Sequence, residues 1–215
     1  MDSKKFFALA EADDADGLAE ALKGAEAFRI RNESGESLYL FCVFRGRVKC
    51  AEMLKRRGRL SLHEAALAGE TARVEELAKA APSIVDLLSP DGWTALHLAA
   101  FVGNDETTVR LLDLGADPRI MGRAFEQNLP IHAAAAGRRI GREAYAKLVS
   151  ATGDPDALQK QGYTALMIAA GNGFTEAVEV LLAAGADRAR KTPDGKTAAS
   201  FARERGHTEL AEKLE

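Results

Sequence analysis

Asp91-Gly92-Trp93-Thr94-Ala95-Leu96-His97-Leu98-Ala99-Ala100 returns 70 residues later as Gln161-Gly162-Tyr163-Thr164-Ala165-Leu166-Met167-Ile168-Ala169-Ala170. Each copy reaches a glycine, Gly103 or Gly173, nine residues after its threonine. Further along, Leu111-Leu112-Asp113-Leu114-Gly115-Ala116-Asp117 recurs as Leu181-Leu182-Ala183-Ala184-Gly185-Ala186-Asp187, again at 70 residues, or two periods of 35. Self-similarity at such a period marks an array of small units, each unable to bury its apolar face alone. The repeat therefore decides the fold before local propensities are consulted.

Weaker copies of the template lie at Ser37 with Gly46, at Leu60-Ser61-Leu62-His63 with Gly69, at Leu129-Pro130-Ile131-His132, and at Asp194-Gly195-Lys196-Thr197 with Gly206. Placing the threonine slot at Lys4, Ser37, Leu60, Thr94, Leu129, Thr164 and Thr197 gives intervals of 33, 23, 34, 35, 35 and 33 residues. These residues resemble the ankyrin repeat, whose period is about 33 and whose signature is Thr-Pro-Leu-His-x-Ala. The resemblance covers the whole chain and is most specific over 91–215. It implies an all-α solenoid of stacked helix-turn-helix units with short β-hairpin fingers. The expected repeats are 1–29 as an N-terminal cap, 30–58, 59–88, 89–121, 124–158, 159–190, and 191–215 as a C-terminal cap, forming one domain.

The unit can be read without the family. A Thr or Ser ahead of an apolar stretch accepts a backbone N–H and opens a helix, and Pro130 suits a first turn where its missing donor costs nothing. The pairs Ala99-Ala100, Ala134-Ala135 and Ala169-Ala170 leave little side chain on that inner helix, so the next unit can approach closely. A second helix carries the bulky leucines and ends at Gly58, Gly115 or Gly185, residues suited to a left-handed stop. Asp13, Asp14, Asp16 and Glu20 at one end, and Arg203 to Glu215 at the other, give polar terminal units, as expected of a complete, capped array.

Three departures stand out. Only Arg59 separates Gly58 from Leu60, which predicts a gap in the row of fingers. Pro82 replaces a Gly-Ala-Asp exit, so the second helix of that repeat should end early and its connection to Asp91 be irregular. Gly137 sits eight residues after Leu129 and not nine, with an insertion around Arg138 to Arg142.

Composition narrows function. The 215 residues are 47% hydrophobic and 28% charged, with 29 Lys and Arg against 32 Asp and Glu, so no global field draws the chain to nucleic acid or an anionic membrane. Cys42 and Cys50 are too few for a disulfide framework or a four-cysteine zinc site and read as reduced apolar residues. Phe6 to Ala10 is shorter than the roughly 7–15 residues of a signal core, and no run approaches the roughly 18 of a membrane span. A cytoplasmic monomer without cofactor or metal is expected.

Catalytic constellations are weak. His63, His97 and His132 fall in the His slot, where the resemblance implies a brace between turn and helix, and His207 follows Gly206. His63-Glu64 opens like a zinc-protease helix, but Leu67 stands where the second ligand belongs. Gly195-Lys196-Thr197 mimics a phosphate loop, yet Arg190 replaces its first glycine. Gly171-Asn172-Gly173 lacks the third glycine of a dinucleotide fingerprint, position 176 being Glu. The expectation is no enzyme.

A binding surface remains. The resemblance implies that partners meet the fingertips and the exposed side of the inner helices. Those slots hold Asp91, Trp93, Phe101, Val102, Phe125, Asn128, Tyr163, Phe44 and Arg45. Aromatic residues are enriched at binding hot spots, so Trp93, Phe101, Phe125 and Tyr163 form the expected anchor stripe for a protein partner. The alternative is the basic run Arg45, Arg47, Lys49, Lys55, Arg56, Arg57 and Arg59. Guanidinium groups there, where a finger is missing, could form a notch for an acidic or nucleic-acid ligand.

Overall fold

The computed structural model of the chain describes residues 3–25, 27–57, 60–123 and 127–215. It is an all-α solenoid of paired antiparallel helices. The pairs are α1 (Ser3–Glu11) with α2 (Ala15–Ala21), α3 (Leu38–Phe44) with α4 (Val48–Arg56), and α5 (Leu62–Ala68) with α6 (Thr71–Ala80). There follow α7 (Ala95–Val102) with α8 (Asp105–Asp113), and α9 (Pro130–Gly137) with α10 (Arg142–Thr152). The last two are α11 (Ala165–Gly171) with α12 (Thr175–Ala183), and α13 (Ala198–Glu204) with α14 (Thr208–Lys213). The odd-numbered helices form one inner row, each packed on the next, and α6, α8, α10 and α12 line up behind them.

Local chemistry sets each start. The hydroxyls of Ser37, Ser61, Thr94, Thr164 and Thr197 each accept the backbone N–H three residues on. In the third repeat the cap is Ser61 and not Leu60, a shift of one residue, and Glu64 rather than His63 then occupies the slot that reaches back to the cap. Glu64 is 2% exposed, and its carboxylate accepts from the Ser61 amide at 2.9 Å and the Ser61 hydroxyl at 2.8 Å. His63 instead donates to the Leu87 carbonyl at 2.8 Å. The first slot also moves, since Lys4 lies inside α1.

The alanine pairs 99–100, 134–135 and 169–170 are fully buried, as close stacking requires. Packing is tightest at Gly137, where a Cβ would lie 1.8 Å from the Phe101 carbonyl oxygen. Because glycine is needed there, the left-handed stop of α9 falls one residue later, on Arg138 with φ 58°. That resolves the displaced glycine of the sequence, and α9 is a full helix. After α6 the chain forms a short 3₁₀ turn at Pro82–Ile84, the irregular exit that Pro82 predicts.

The fingers are narrower than hairpins. Among the described residues there is no strand, only isolated antiparallel bridges joining Arg31 to Ser37 and Leu158 to Thr164. Each finger is a tight turn closed by one backbone bond: Asn32 to Glu36, Ser89 to Trp93, Gln159 to Tyr163 and Thr192 to Lys196. Five residues separate α4 from α5, too few for such a turn.

Side chains tie neighbouring repeats together. Asn104 donates to the carbonyls of Ala66 and Leu67 at 2.9 and 3.0 Å. The Asp13 carboxylate accepts from Cys50 N at 2.9 Å, and that of Asp105 from Gly141 N at 2.9 Å, each capping the second helix of the following repeat. Cys42 and Cys50 are free and buried, and burial pushes their thiols up to about 12 and about 11, so they stay protonated packing groups.

Candidate functional site

Two side-chain clusters face outward from the inner row. In the first, Trp93 stands beside the turn glycine of the fourth finger, its ring edge-on to His97 at 5.5 Å and 6.3 Å from Phe101. Phe101 in turn meets Phe44 edge-to-face at 6.2 Å. Phe44 and Phe101 end α3 and α7, two repeats apart; the corresponding residue of the intervening α5 is Ala68, small enough to let the rings meet. The result is an aromatic ridge across three repeats, with Phe44 42% exposed at its end. Val102 lies alongside, half-buried against the core.

In the second cluster Tyr163 packs edge-to-face on Phe201 at 5.4 Å, and Lys196 lies 5.7 Å above the Phe201 ring while pairing with Glu204. Between the clusters the fifth repeat offers only Asn128, Ala133, Ala136 and Gly137 at the equivalent positions. The stripe expected from sequence is therefore split. Trp93 and Phe101 come together, Tyr163 pairs one repeat further on with Phe201, and Phe125 lies outside the described residues. Phe201 was missed by sequence reasoning. The signal that could have found it is the repeat register, because Phe201 follows Thr197 at the spacing with which Ile168 follows Thr164.

Asn128 is buried, and its backbone rather than its side chain does the work. Its carbonyl accepts from His97 Nε2 at 2.9 Å and from Gly122 N at 2.8 Å. Asp91 is half-buried, with one carboxylate oxygen enclosed and lacking a donor.

The histidines are braces. Thr94 Oγ1 donates to His97 Nδ1 at 2.7 Å, while Nε2–H donates onward to the next finger. His132 repeats the device, taking the Leu129 amide on Nδ1 at 3.2 Å and donating from Nε2 to the Ala157 carbonyl at 2.9 Å. Burial lowers both rings to about 4, which keeps them neutral in this tautomer. Among the described residues no group of His, Cys, Asp and Glu could hold a metal ion.

The basic run is largely consumed internally. Arg45 pairs with Glu36 at 3.0 Å and lies over the Phe41 ring at 4.0 Å; Arg47 pairs with Glu11 at 2.6 Å. Lys55 pairs with Glu70 at 3.0 Å and donates to the Ala68 carbonyl at 3.2 Å. Arg57 donates to the carbonyls of Ala19 and Leu22 at 3.4 and 3.2 Å, closing the end of α2. Lys49 and Arg56 are exposed, and Arg59 lies outside the described residues.

Paired helices, finger turns and an inner row of alanines define the class. The family model for ankyrin repeats matches three times, over residues 8–122, 62–147 and 131–214. The chain belongs to the ankyrin-repeat family, whose members are generally non-catalytic protein–protein interaction modules. Among curated proteins it is similar to the Transient receptor potential cation channel subfamily A member 1 homolog of Caenorhabditis elegans, at 33% identity over 70% of this chain and 12% of that protein. It is also similar to the Nuclear factor NF-kappa-B p105 subunit of Gallus gallus, at 34% identity over 63% of this chain and 14% of that protein. The chain thus spans about one-eighth of the length of these relatives. No helix among the described residues is long and apolar enough to cross a membrane.

Proposed function

We propose that this chain is a non-catalytic recognition module, acting as adaptor, inhibitor or regulator, that binds a partner protein on the face formed by its fingers and inner helices. The observation carrying this reading is the aromatic ridge Phe44–Phe101–Trp93, which leaves ring surface open on a stacked scaffold. Aromatic side chains anchored on fixed backbone lose little conformational freedom on binding, and a few such anchors dominate interface energies. In this reading the protein meets its partner in the cytoplasm and as a monomer, without a cofactor. The internal pairing of Arg45, Arg47, Lys55 and Arg57 weakens the alternative of a nucleic-acid site over 45–59.

The test compares Phe44→Ala and Phe101→Ala with the unaltered chain in partner capture from the native cell. Loss of the captured protein by at least about tenfold, with an unchanged helical spectrum, is expected from hot-spot truncation. Equal capture by all three proteins contradicts the reading.

A further inference from the structure

A hollow of about 390 Å³ opens between α9, α11 and α13, beyond the gap in the aromatic positions. Ala136, Ile168 and Gly171 form its apolar floor, and the Tyr163–Phe201 pair forms one wall. It exists because the fifth and sixth repeats carry small residues where the second and fourth carry Phe44 and Phe101. Volume of this order suits a few side chains of an extended guest.

Two polar groups at the hollow lack the partners their chemistry calls for. Arg205 is the one charged residue lining it. Its Nη1 donates to Asn172 Oδ1 at 2.9 Å, and Asn172 is itself fixed by donating to the Ala135 carbonyl at 3.4 Å. No carboxylate among the described residues pairs with Arg205, although its guanidinium keeps further donors.

Gln159 is the second. In the other tight fingers the residue at this position closes the turn: Asn32 accepts from Glu36 N at 2.9 Å, Ser89 from Trp93 N at 3.1 Å, and Thr192 from Lys196 N at 3.0 Å. Gln159, with a longer side chain, does not make that bond. It is 6% exposed, it lines the hollow, and its Oε1 has no donor. A buried amide oxygen without a donor is costly, so a guest that supplies one gains accordingly.

We propose that this hollow is a specificity subsite for an acidic, aliphatic segment of the partner protein. An aliphatic side chain sits on Ala136, Ile168 and Gly171; the carboxylate of a neighbouring Asp or Glu pairs with Arg205; and a guest backbone N–H satisfies Gln159. A lone guanidinium held in place reads one carboxylate, whereas a nucleic-acid strand needs a track of cations. The inference rests on the recognition-module reading but places specificity away from the ridge.

The probe is a dye-labelled, end-blocked peptide, Gly-Asp-Leu-Leu-Asp-Gly, titrated by fluorescence polarisation against the full chain. Companion probes replace both Asp by Asn, both Asp by Lys, or both Leu by Ser, and a short oligothymidylate forms the last arm. The acidic leucine probe should bind best and the Asn probe about tenfold more weakly, the size of one charge-assisted hydrogen bond. Arg205→Gln should erase the Asp-to-Asn difference while retaining the preference for Leu over Ser, and Ala136→Leu should weaken every peptide by filling the floor. Equal binding of the Asn or Lys probe, an unchanged Asp-to-Asn ratio in Arg205→Gln, stronger binding of the oligothymidylate, or no peptide binding at about 1 mM overturns the proposal. If the peptides fail while Phe44→Ala still abolishes partner capture, only the subsite falls. If they bind while Phe44→Ala captures normally, only the ridge falls.

Discussion

The two halves of the inner-helix face are built from the same repeat and present opposite surfaces. Over the second to fourth repeats Phe44, Phe101 and Trp93 project as a ridge, whereas over the fifth to seventh the same slots hold Ala136 and Gly171, and the surface sinks between Tyr163 and Phe201. The backbone plan does not differ between them, so relief is set by side-chain volume at a few register positions. The seam between the halves is where α7 meets α9, held by the closest helix contact in the chain and by His97 reaching to Asn128.

The largest expected effect breaks that seam and the one beyond it by acid. His97 and His132 are held near 4 in the folded state against about 6.5 when unfolded, so between these values the unfolded chain binds more protons. Stability is fully present above about pH 6.5 and is lost as the pH falls toward 4, on the order of 3 kcal/mol for each ring. Urea midpoints measured from pH 7.5 to 4.5 should fall steeply. His97→Met, which copies the residue that Met167 supplies in the sixth repeat, should flatten part of the slope.

Gly137→Ala attacks the same seam sterically. Its Cβ would overlap the Phe101 carbonyl, and a loss of about 3 kcal/mol is expected in urea denaturation, at the upper end of overpacking costs. The same change at Gly115, where a Cβ meets nothing within 4 Å, costs only the strain of φ 88° and should be milder.

A smaller effect sharpens the reading of the basic run. Arg57→Ala frees two carbonyls at the end of α2 and should cost about 1 kcal/mol. Arg56→Ala, on an exposed side chain, should leave the urea midpoint unchanged. Equal effects would mean that Arg57 is not a structural brace.

The fold was legible in the sequence because the Thr94 and Thr164 copies carry cap, alanine pair and glycine at fixed offsets, each a local requirement of the backbone. The third repeat was misread by one residue for the complementary reason. Without a finger ahead of it, Leu60 and Ser61 could not be separated by spacing, and only the buried Glu64–Ser61 pairing fixes the register. The candidate site was less legible. Arg45, Arg47 and Lys55 form a charge run in the sequence because Glu36, Glu11 and Glu70 approach only when the repeats stack. Tyr163 and Trp93 occupy matching slots, yet the small residues of the fifth repeat separate them. The orphaned oxygen of Gln159 is visible only beside the three fingers whose equivalent residue closes the turn.

Trp93 is the single tryptophan of the chain, so its emission reports on the ridge without labelling. Titration with the captured partner should shift that emission to the blue and protect it from aqueous quencher, with both changes lost in Phe44→Ala. A partner that binds to saturation while Trp93 emission and quenching stay as in the free protein would place recognition elsewhere and contradict the account.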